Sequence, residues 1–331
     1  MRRLEGQPYL IAELGVNHDG NVARAVEMAS AAADAGFDAV KLQYWLPEEL
    51  LARRAPNAAY QGPGDQHELL ASLRLTVGEL VTVREVCRRN RVDFGVTPDG
   101  ALACRDVLTA EVDFLKVGSG DADNPWLLEA ASVAPVPLVI SLGMTGDADA
   151  SEIARRVDEH PDVTFLHCVS AYPTPLAAAN LGRIQRLAQL TRRPVGLSDH
   201  TQGVEAAIAA VAVGAVVVEK HVTYDTSASG PDHHMSLALA EASGWVAAVR
   251  ATASAFSAGV ESDEELNRSM VRKGLYPTTC LPEGHVVGQA DLVPLRPVLD
   301  GIPALERDRT VGRRLARAVT PDNPLRREDL A

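Results

Sequence analysis

Residues 216–223 read Val-Val-Val-Glu-Lys-His-Val-Thr, and the fold turns on them. With Ala215 in front, the three valines have the β-branched, unbroken apolar character of a strand covered on both faces, as in a parallel sheet. Glu219, Lys220 and His221 then follow with no turn residue between the apolar run and the charges. The segment 215–221 is the eighth such run. Working back along the chain, strands are expected at 194–199, 163–169, 137–143, 113–118, 93–97, 39–44 and 8–14. Helical patterns lie between them, among them NVARAVEMASAAADAG (21–36), TVGELVTVREVCRRN (76–90), ASEIARRVDEH (150–160), NLGRIQRLAQLTR (180–192) and GVEAAIAAVAVG (203–214).

Eight strands, each followed by a helix, predict an α/β fold: a closed (β/α)8 TIM barrel rather than an open doubly wound sheet. The first strand-to-helix loop, GVNHDGN (15–21), contains no GxGxxG, which argues against a dinucleotide fold. The helical pattern at 243–259 completes the barrel, so the catalytic domain is placed at 1–260 and a polar linker at 261–270. Residues 271–331 change character, with short strand-like pieces set between Pro and Gly turns, and predict a small β-rich second domain.

The chain has 331 residues and a formal net charge of −12, which excludes general affinity for nucleic acid or an anionic membrane. No run approaches the ~18 apolar residues that a membrane span needs. The N-terminal stretch lacks the apolar core of a signal peptide. Cys87, Cys104, Cys168 and Cys280 have neither metal-type spacing nor a disulfide framework, so a reducing, cytoplasmic location is expected.

Only four of the 32 basic residues are lysine: Lys41, Lys116, Lys220 and Lys273. Where arginine is the default cation, a lysine marks a place for a compact ammonium rather than a guanidinium fork. Three of the four fall on the second, fourth and eighth strands. The chemistry of a barrel sits at the C-terminal ends of its strands. Polar residues at those ends are Glu13, Lys41, Gln43, Thr97, Lys116, Ser119, Ser141, Ser170, Tyr172, Ser198, Asp199, His200, Glu219, Lys220 and His221. A single hydroxyl at a strand end usually satisfies a turn. A set of them beside two lysines and the N–H groups of GSG (118–120) suits a small phosphorylated or carboxylated substrate.

Side chains two apart on a strand share a face, so Glu219 and His221 point one way and Lys220 the other, toward the surrounding helices. His200 and His221 end adjacent strands. A lone histidine is more often a hydrogen-bonded structural group, but two imidazoles with a carboxylate on the same face resemble half of a divalent-metal site. His18, His233 and His234 lie in loops, and His167 inside the sixth strand reads as structural.

These residues sit in segments that together resemble the sialic acid synthase family: IAELGVNHDG, DAVKLQYW, GVTPDG, FLKVGSGD, VISLGM, FLHCVSAYPTP, VGLSDHT, EKHVT and SGPDHHMSL, in that order. Residues 271–331, with CLPEGHVV, LVPLRP and AVTPDNPLRREDL, are similar to the antifreeze-like (SAF) domain of that family. The resemblance implies condensation of phosphoenolpyruvate with an N-acylated amino-sugar aldehyde, N-acetylmannosamine or a relative, giving a nonulosonic acid and phosphate. It places phosphoenolpyruvate on Lys41, Thr97, Lys116, Ser119, Ser141, Ser170 and Ser198. His200 and His221 become the ligands of a divalent metal, Mn2+ first, with Mg2+ or Co2+ as substitutes. Glu13, Gln43, Tyr172, Glu219 and Asp232 surround the acceptor and a water. Arg296 is implied to complete the acceptor site of a neighbouring subunit in a domain-swapped homodimer.

The chain departs from the family pattern at Ser170, where some members have asparagine, at Leu142, where threonine is common, and in SGPDHHMSL and RKGLYPTT. These departures leave the sugar open, with legionaminic- and pseudaminic-type products as alternatives. A 3-deoxy-ulosonate 8-phosphate-type synthase would need a further cation, for which Arg53 and Arg54 are candidates. A non-catalytic glycan-binding scaffold is the remaining alternative. Acceptor choice is expected to involve the loop NAAYQGPGDQHELL (57–70) and the surroundings of Arg296.

Overall fold

The computed structural model describes residues 6–52, 66–256 and 263–331. Arg53, Arg54 and residues 57–65 therefore lie outside the described residues. The chain divides into two compact units, Met1–Ser257 and Ala258–Ala331.

In the first unit, β1 (Tyr9–Gly15) leads into α1 (Val22–Asp34). Next come β2 (Ala39–Trp45) and three helices, α2 (Pro47–Leu50), α3 (Gln66–Leu73) and α4 (Val77–Asn90). Four strand–helix pairs follow: β3 (Asp93–Asp99) and α5 (Ala101–Thr109), β4 (Phe114–Val117) and α6 (Pro125–Ser132), β5 (Leu138–Ser141) and α7 (Asp147–Arg156), β6 (Val163–Cys168) and α8 (Arg183–Thr191). The series ends with β7 (Val195–Asp199), α9 (Glu205–Ala212), β8 (Val217–Thr223), a two-residue strand β9 (Leu237–Ala238) and α10 (Ala242–Ala255). Consecutive strands β1 to β8 pair in parallel, and β1 also pairs with β8. The sheet is thus a closed eight-stranded parallel α/β barrel.

Alternation of side chains builds two apolar layers from one set of strands. Tyr9, Ile11, Ala39, Phe114, Val139, Leu166 and Val217 fill the inside of the barrel. Their neighbours in sequence, such as Leu10, Ala12, Val40, Leu115, Ile140 and Val218, face outward onto Ala25, Met28, Leu80, Val83 and Leu127 of the helices. Burying one such side chain contributes about 1.5–3 kcal/mol. Local chemistry starts the helices where the barrel needs them. Asn21 accepts the Arg24 N–H at 3.2 Å, Thr76 and Glu79 form a reciprocal capping box, and Asn124 caps α6 just before Pro125.

The N-terminal ends of the strands are closed by carboxylates. Leu10 N donates to Asp38 at 2.7 Å, Phe94 N to Asp113 at 2.8 Å, and the Tyr9 hydroxyl to Asp93 at 2.5 Å. The polar residues of the opposite end are left for chemistry.

Two strands run two residues further than the sequence suggests. β3 continues through Pro98 to Asp99. β8 continues through Val222 to Thr223 with all seven residues buried, so Glu219, Lys220 and His221 lie inside the strand rather than at its end. In the second unit, Asp263–Val271 is a helix, α11, where a polar linker was expected. Strands β10 (Gly274–Pro277) and β11 (Leu292–Leu295) pair antiparallel over a core of Leu275, Leu281, Val287, Ile302, Leu315 and Leu325. Among the described residues no helix is long and apolar enough to cross a membrane.

Candidate active site

A cavity of about 370 Å³ opens among the C-terminal ends of the barrel strands. One wall comes from β2, β3 and β4, which present Lys41, Thr97, Lys116 and the following Ser119. Ser141 on β5 and Ser170 after β6 continue it, and Ser198 on β7 lies next to Glu219. All seven residues expected to hold the enol substrate therefore line one cavity. Glu13, Gln43, Tyr172, His200, Glu219 and His221 line the same space.

The lysines are 2% and 3% exposed, and each is held by an acid. Lys41 Nζ lies 2.7 Å from Glu13 Oε2 and donates to Thr97 Oγ1 at 2.6 Å. Lys116 Nζ lies 3.6 Å from Glu219 Oε1, which also accepts from Ser198 Oγ at 3.3 Å. Gln43 Nε2 donates to Glu13 Oε1 at 3.1 Å. Burial pushes the Glu13 carboxyl up to about 7, with Lys41 pulling against it. Burial also opposes charge on Glu219, but Lys116 and Lys41 outweigh it and hold that carboxyl below its usual range. Lys116 is lowered, first by burial. Two acids in one cavity are thus separated: Glu219 is charged, while Glu13 can hold or release a proton near neutral pH.

On the opposite wall the His200 and His221 rings lie 5.5 Å apart between centroids, and Tyr172 packs on His200 at 4.4 Å. His200 Nδ1 donates to the Val169 carbonyl oxygen at 2.9 Å, so Nε2 is the nitrogen left to meet a ligand; burial opposes charge on this ring, but Cys168, 3.7 Å away, outweighs it and holds His200 above the usual imidazole range. Burial, then His200 and the nearby lysines, hold His221 well below the usual imidazole range, so its ring is neutral. His221 Nδ1 is buried without a hydrogen-bond partner, as are Ser141 Oγ and Glu219 Oε2. Orphaned polar atoms gathered at one cavity mark groups that await a ligand. Neutral imidazole nitrogens are the donors a divalent cation could use here. Among the described residues no cluster of three or more His, Cys, Asp or Glu side chains forms a complete metal site. Two nitrogens leave the remaining positions to water and substrate oxygens.

Asp232 stands apart from the main cavity. It lines an adjoining pocket of about 110 Å³ with Gln43, Tyr172, His221 and the α3 residues Leu69, Leu70 and Leu73. Its Oδ2 is 3.8 Å from His221 Nδ1. The loop that carries it is pinned to the loop after β1. Asn17 donates to Val222 O at 2.8 Å and Ser236 Oγ at 2.9 Å, and buried His233 bridges Thr223 at 2.7 Å and Asp19 at 3.0 Å. Gly15 makes room at this point: with φ +54° it is left-handed, and a Cβ there would sit 3.3 Å from both His221 and Asp232.

Lys220 faces away, as alternation requires. It is buried on Asp199 Oδ2 at 2.8 Å, and neither residue lines the cavity. His167 donates to the Ala179 carbonyl at 2.7 Å as a structural group. Arg296 is an exposed residue of the second unit, just after β11. Asp99, Cys168 and Met144 line the cavity without having been singled out in the sequence. Alternation contained the signal for two of them: Asp99 is two residues beyond Thr97 and Cys168 two before Ser170. The strand expected at 93–97 stopped short of the first.

The profile of the NeuB family matches residues 28–261. The chain belongs to the NeuB family. It is 33% identical over 325 residues to the N,N'-diacetyllegionaminic acid synthase of Legionella pneumophila, covering 93% of this chain and 90% of that one. A solved structure, the N-acetylneuraminic acid synthetase of Leptospira borgpetersenii in complex with citrate, superposes with a TM-score of 0.70 at 28% identity, over 79% of this chain and 90% of that one. The putative spore coat polysaccharide biosynthesis protein E of Chromobacterium violaceum shares the fold at a TM-score of 0.83 and 24% identity, over 98% and 100% of the two chains.

Proposed function

We propose that this NeuB-family enzyme condenses phosphoenolpyruvate with an N-acylated amino-sugar aldehyde and that the barrel cavity is where it does so. The reaction is carbon–carbon bond formation by a sialic-acid-type synthase. The observation that carries the assignment of the site is one cavity with two buried lysines on one wall, two histidines on the other, and unpartnered Ser141 Oγ, Glu219 Oε2 and His221 Nδ1 between them.

Lys41 and Lys116 with Thr97, Ser119, Ser141, Ser170 and Ser198 bind the phosphate and carboxylate of phosphoenolpyruvate. His200 and His221 hold a divalent cation, Mn2+ first, with Mg2+ or Co2+ able to replace it. When bound, that ion supplies Lewis-acid polarisation of the aldehyde. Gln43, Tyr172 and Asp232 orient the open-chain sugar from the adjoining pocket. C3 of the enol attacks the aldehyde carbon, water adds at C2, and the bond from C2 to the phosphate oxygen breaks, which leaves a 2-keto acid and inorganic phosphate. Glu13, poised near neutrality, accepts one proton of the attacking water and returns it to the oxygen of the former aldehyde, the second water proton leaves with the phosphate, and charged Glu219 orients that water.

The likeness to a diacetyllegionaminic acid synthase supports a diacetamido sugar as a first acceptor beside N-acetylmannosamine. The antiparallel β10–β11 pair and small apolar core support reading residues 271–331 as an SAF domain. Arg296 of that domain serves the acceptor site of a partner subunit in a domain-swapped homodimer. Four free thiols support a reducing, cytoplasmic location.

The test is phosphate release and mass-spectrometric product analysis with phosphoenolpyruvate, Mn2+ and a panel of sugars: N-acetylmannosamine, a 2,4-diacetamido hexose and their phosphorylated counterparts. Product from an unphosphorylated amino sugar is expected. Turnover only with a phosphorylated sugar, or none with any, refutes the assignment.

A further inference from the structure

Asp99 is a titratable side chain of the cavity that the reaction above does not use. It ends β3, one pleat beyond Thr97 on the same face, with Trp45 of β2 as its register partner. The loop 118–120 packs beside Thr97, since a Cβ on Gly118 would lie 3.6 Å from its methyl group, and Asp99 lines the same cavity as Gly118, Ser119 and Gly120. Asp99 therefore belongs to the wall of Lys41, Thr97, Lys116 and Ser119, not to the wall of Tyr172 and the histidines.

Its carboxyl has no ion-pair or hydrogen-bond partner among the described residues. Both lysines of that wall are engaged elsewhere, on Glu13 and Glu219. An unpaired carboxylate beside a phosphoryl dianion would repel it, whereas a protonated carboxyl donates a hydrogen bond. The charges around Asp99 are Glu13 on β1, Lys41 on β2, Lys116 on β4, Asp121 after β4, and Glu49 of α2, whose carboxylate caps α5 at Leu102 and Ala103. Burial, then the Asp121 carboxylate, pushes Asp99 up to about 7, against the pull of Lys41.

We propose that Asp99 recognises the phosphoryl group of phosphoenolpyruvate as a neutral hydrogen-bond donor, so that capture of this substrate takes up one proton at Asp99. The inference rests on the assignment of the cavity to phosphoenolpyruvate. A carboxyl that is half charged near pH 7 and must be neutral in the complex takes up roughly 0.5 proton at pH 7 and roughly 0.9 at pH 8. Affinity falls about tenfold per pH unit above that range.

The experiment is isothermal titration of the full-length protein with phosphoenolpyruvate, in buffers of different ionisation heat, from pH 6 to pH 9. Asp99→Asn keeps a donor and removes the titration, so it is expected to bind with uptake reduced by roughly 0.9 proton at pH 8 and with a flat pH profile. Asp99→Ser, a smaller donor, provides the second variant and is expected to lose the same uptake. Glu13→Gln is the comparator, because Glu13 also titrates near 7. Uptake unchanged in both Asp99 variants, or abolished by Glu13→Gln alone, overturns the role of Asp99 and leaves the cavity assignment standing. Failure of the wild-type protein to bind phosphoenolpyruvate overturns that assignment and this inference with it.

Discussion

Replacing Lys41 by methionine tests the electrostatics of the barrel mouth in the fold itself, independently of turnover. Methionine preserves most of the side-chain volume, so the cavity term is small. What changes is charge: Glu13, 1% exposed, loses the ammonium at 2.7 Å, and Thr97 loses a hydrogen bond. Removing one partner of a buried pair costs about 3–5 kcal/mol when the other stays charged. Glu13 can escape by taking a proton. Its carboxyl lies at about 7 in the native chain against an ordinary 4.5, so the folded state binds that proton more tightly than the unfolded one. A group raised in this way contributes its full stability below its unfolded value and loses it as pH rises toward its folded value.

In the wild type that loss ends above about pH 7. Without Lys41 the folded value moves higher, and the loss continues at about 1.4 kcal/mol per pH unit. At pH 6 Glu13 is protonated in both proteins, and the variant gives up about 1 kcal/mol, the hydrogen bond to Thr97. At pH 8 the deficit grows to about 2.4 kcal/mol, the hydrogen bond plus one further pH unit of loss. Urea unfolding followed by tryptophan fluorescence reads the barrel through buried Trp45 and Trp245, with constant m-values as the condition for comparison. Adding Glu13→Gln to the variant should recover stability to within about 1 kcal/mol of wild type at pH 8. A deficit equal at pH 6 and pH 8, or absent at pH 8, refutes the coupling of Lys41 to Glu13.

Three further outcomes are expected. Dialysis against a chelator should abolish phosphate release and added Mn2+ should restore it, with His221→Ala and His200→Ala unable to respond; a His221→Ala protein with intact metal-dependent turnover removes the metal assignment. Gly143→Ala would put a methyl 2.5 Å from Ser170 Oγ and 2.7 Å from Ser119 Oγ, an overpacking cost of about 1–3 kcal/mol that should raise KM for phosphoenolpyruvate by about tenfold while leaving KM for the sugar unchanged in steady-state kinetics. Lys220→Met should destabilise the barrel by about 3 kcal/mol by stranding Asp199, yet the folded fraction should turn over normally; loss of kcat in fully folded protein would place Lys220 in the site after all.

Residues 216–223 show how far the linear chain can be read. Valine spacing, the count of eight apolar runs and the missing dinucleotide motif pointed to a closed parallel barrel, because both faces of a parallel strand are buried and its sequence records that directly. Period-two alternation separated Lys220 from Glu219 and His221, because a pleat leaves a side chain only two directions. Motif order, carried by resemblance, named the residues that now line the cavity. Other features depend on contacts between segments far apart in the chain. That β8 runs on to Thr223 is decided by the pairing of Val222 and Thr223 with Leu237 and Ala238 of β9 and by a loop locked through His233 and Asn17. That Glu13 stands near neutrality while Glu219 stays charged is decided by which lysine each meets in a closed ring, and by burial common to both. Asp99 escaped notice because the strand expected at 93–97 stops short of it. Only the barrel shows that the strand continues and delivers an unpaired carboxyl to the wall of the lysines. The sequence by itself determined the alternation of faces and the chemical inventory; the tertiary structure decided protonation and partnership, which arise from distances that no local pattern encodes.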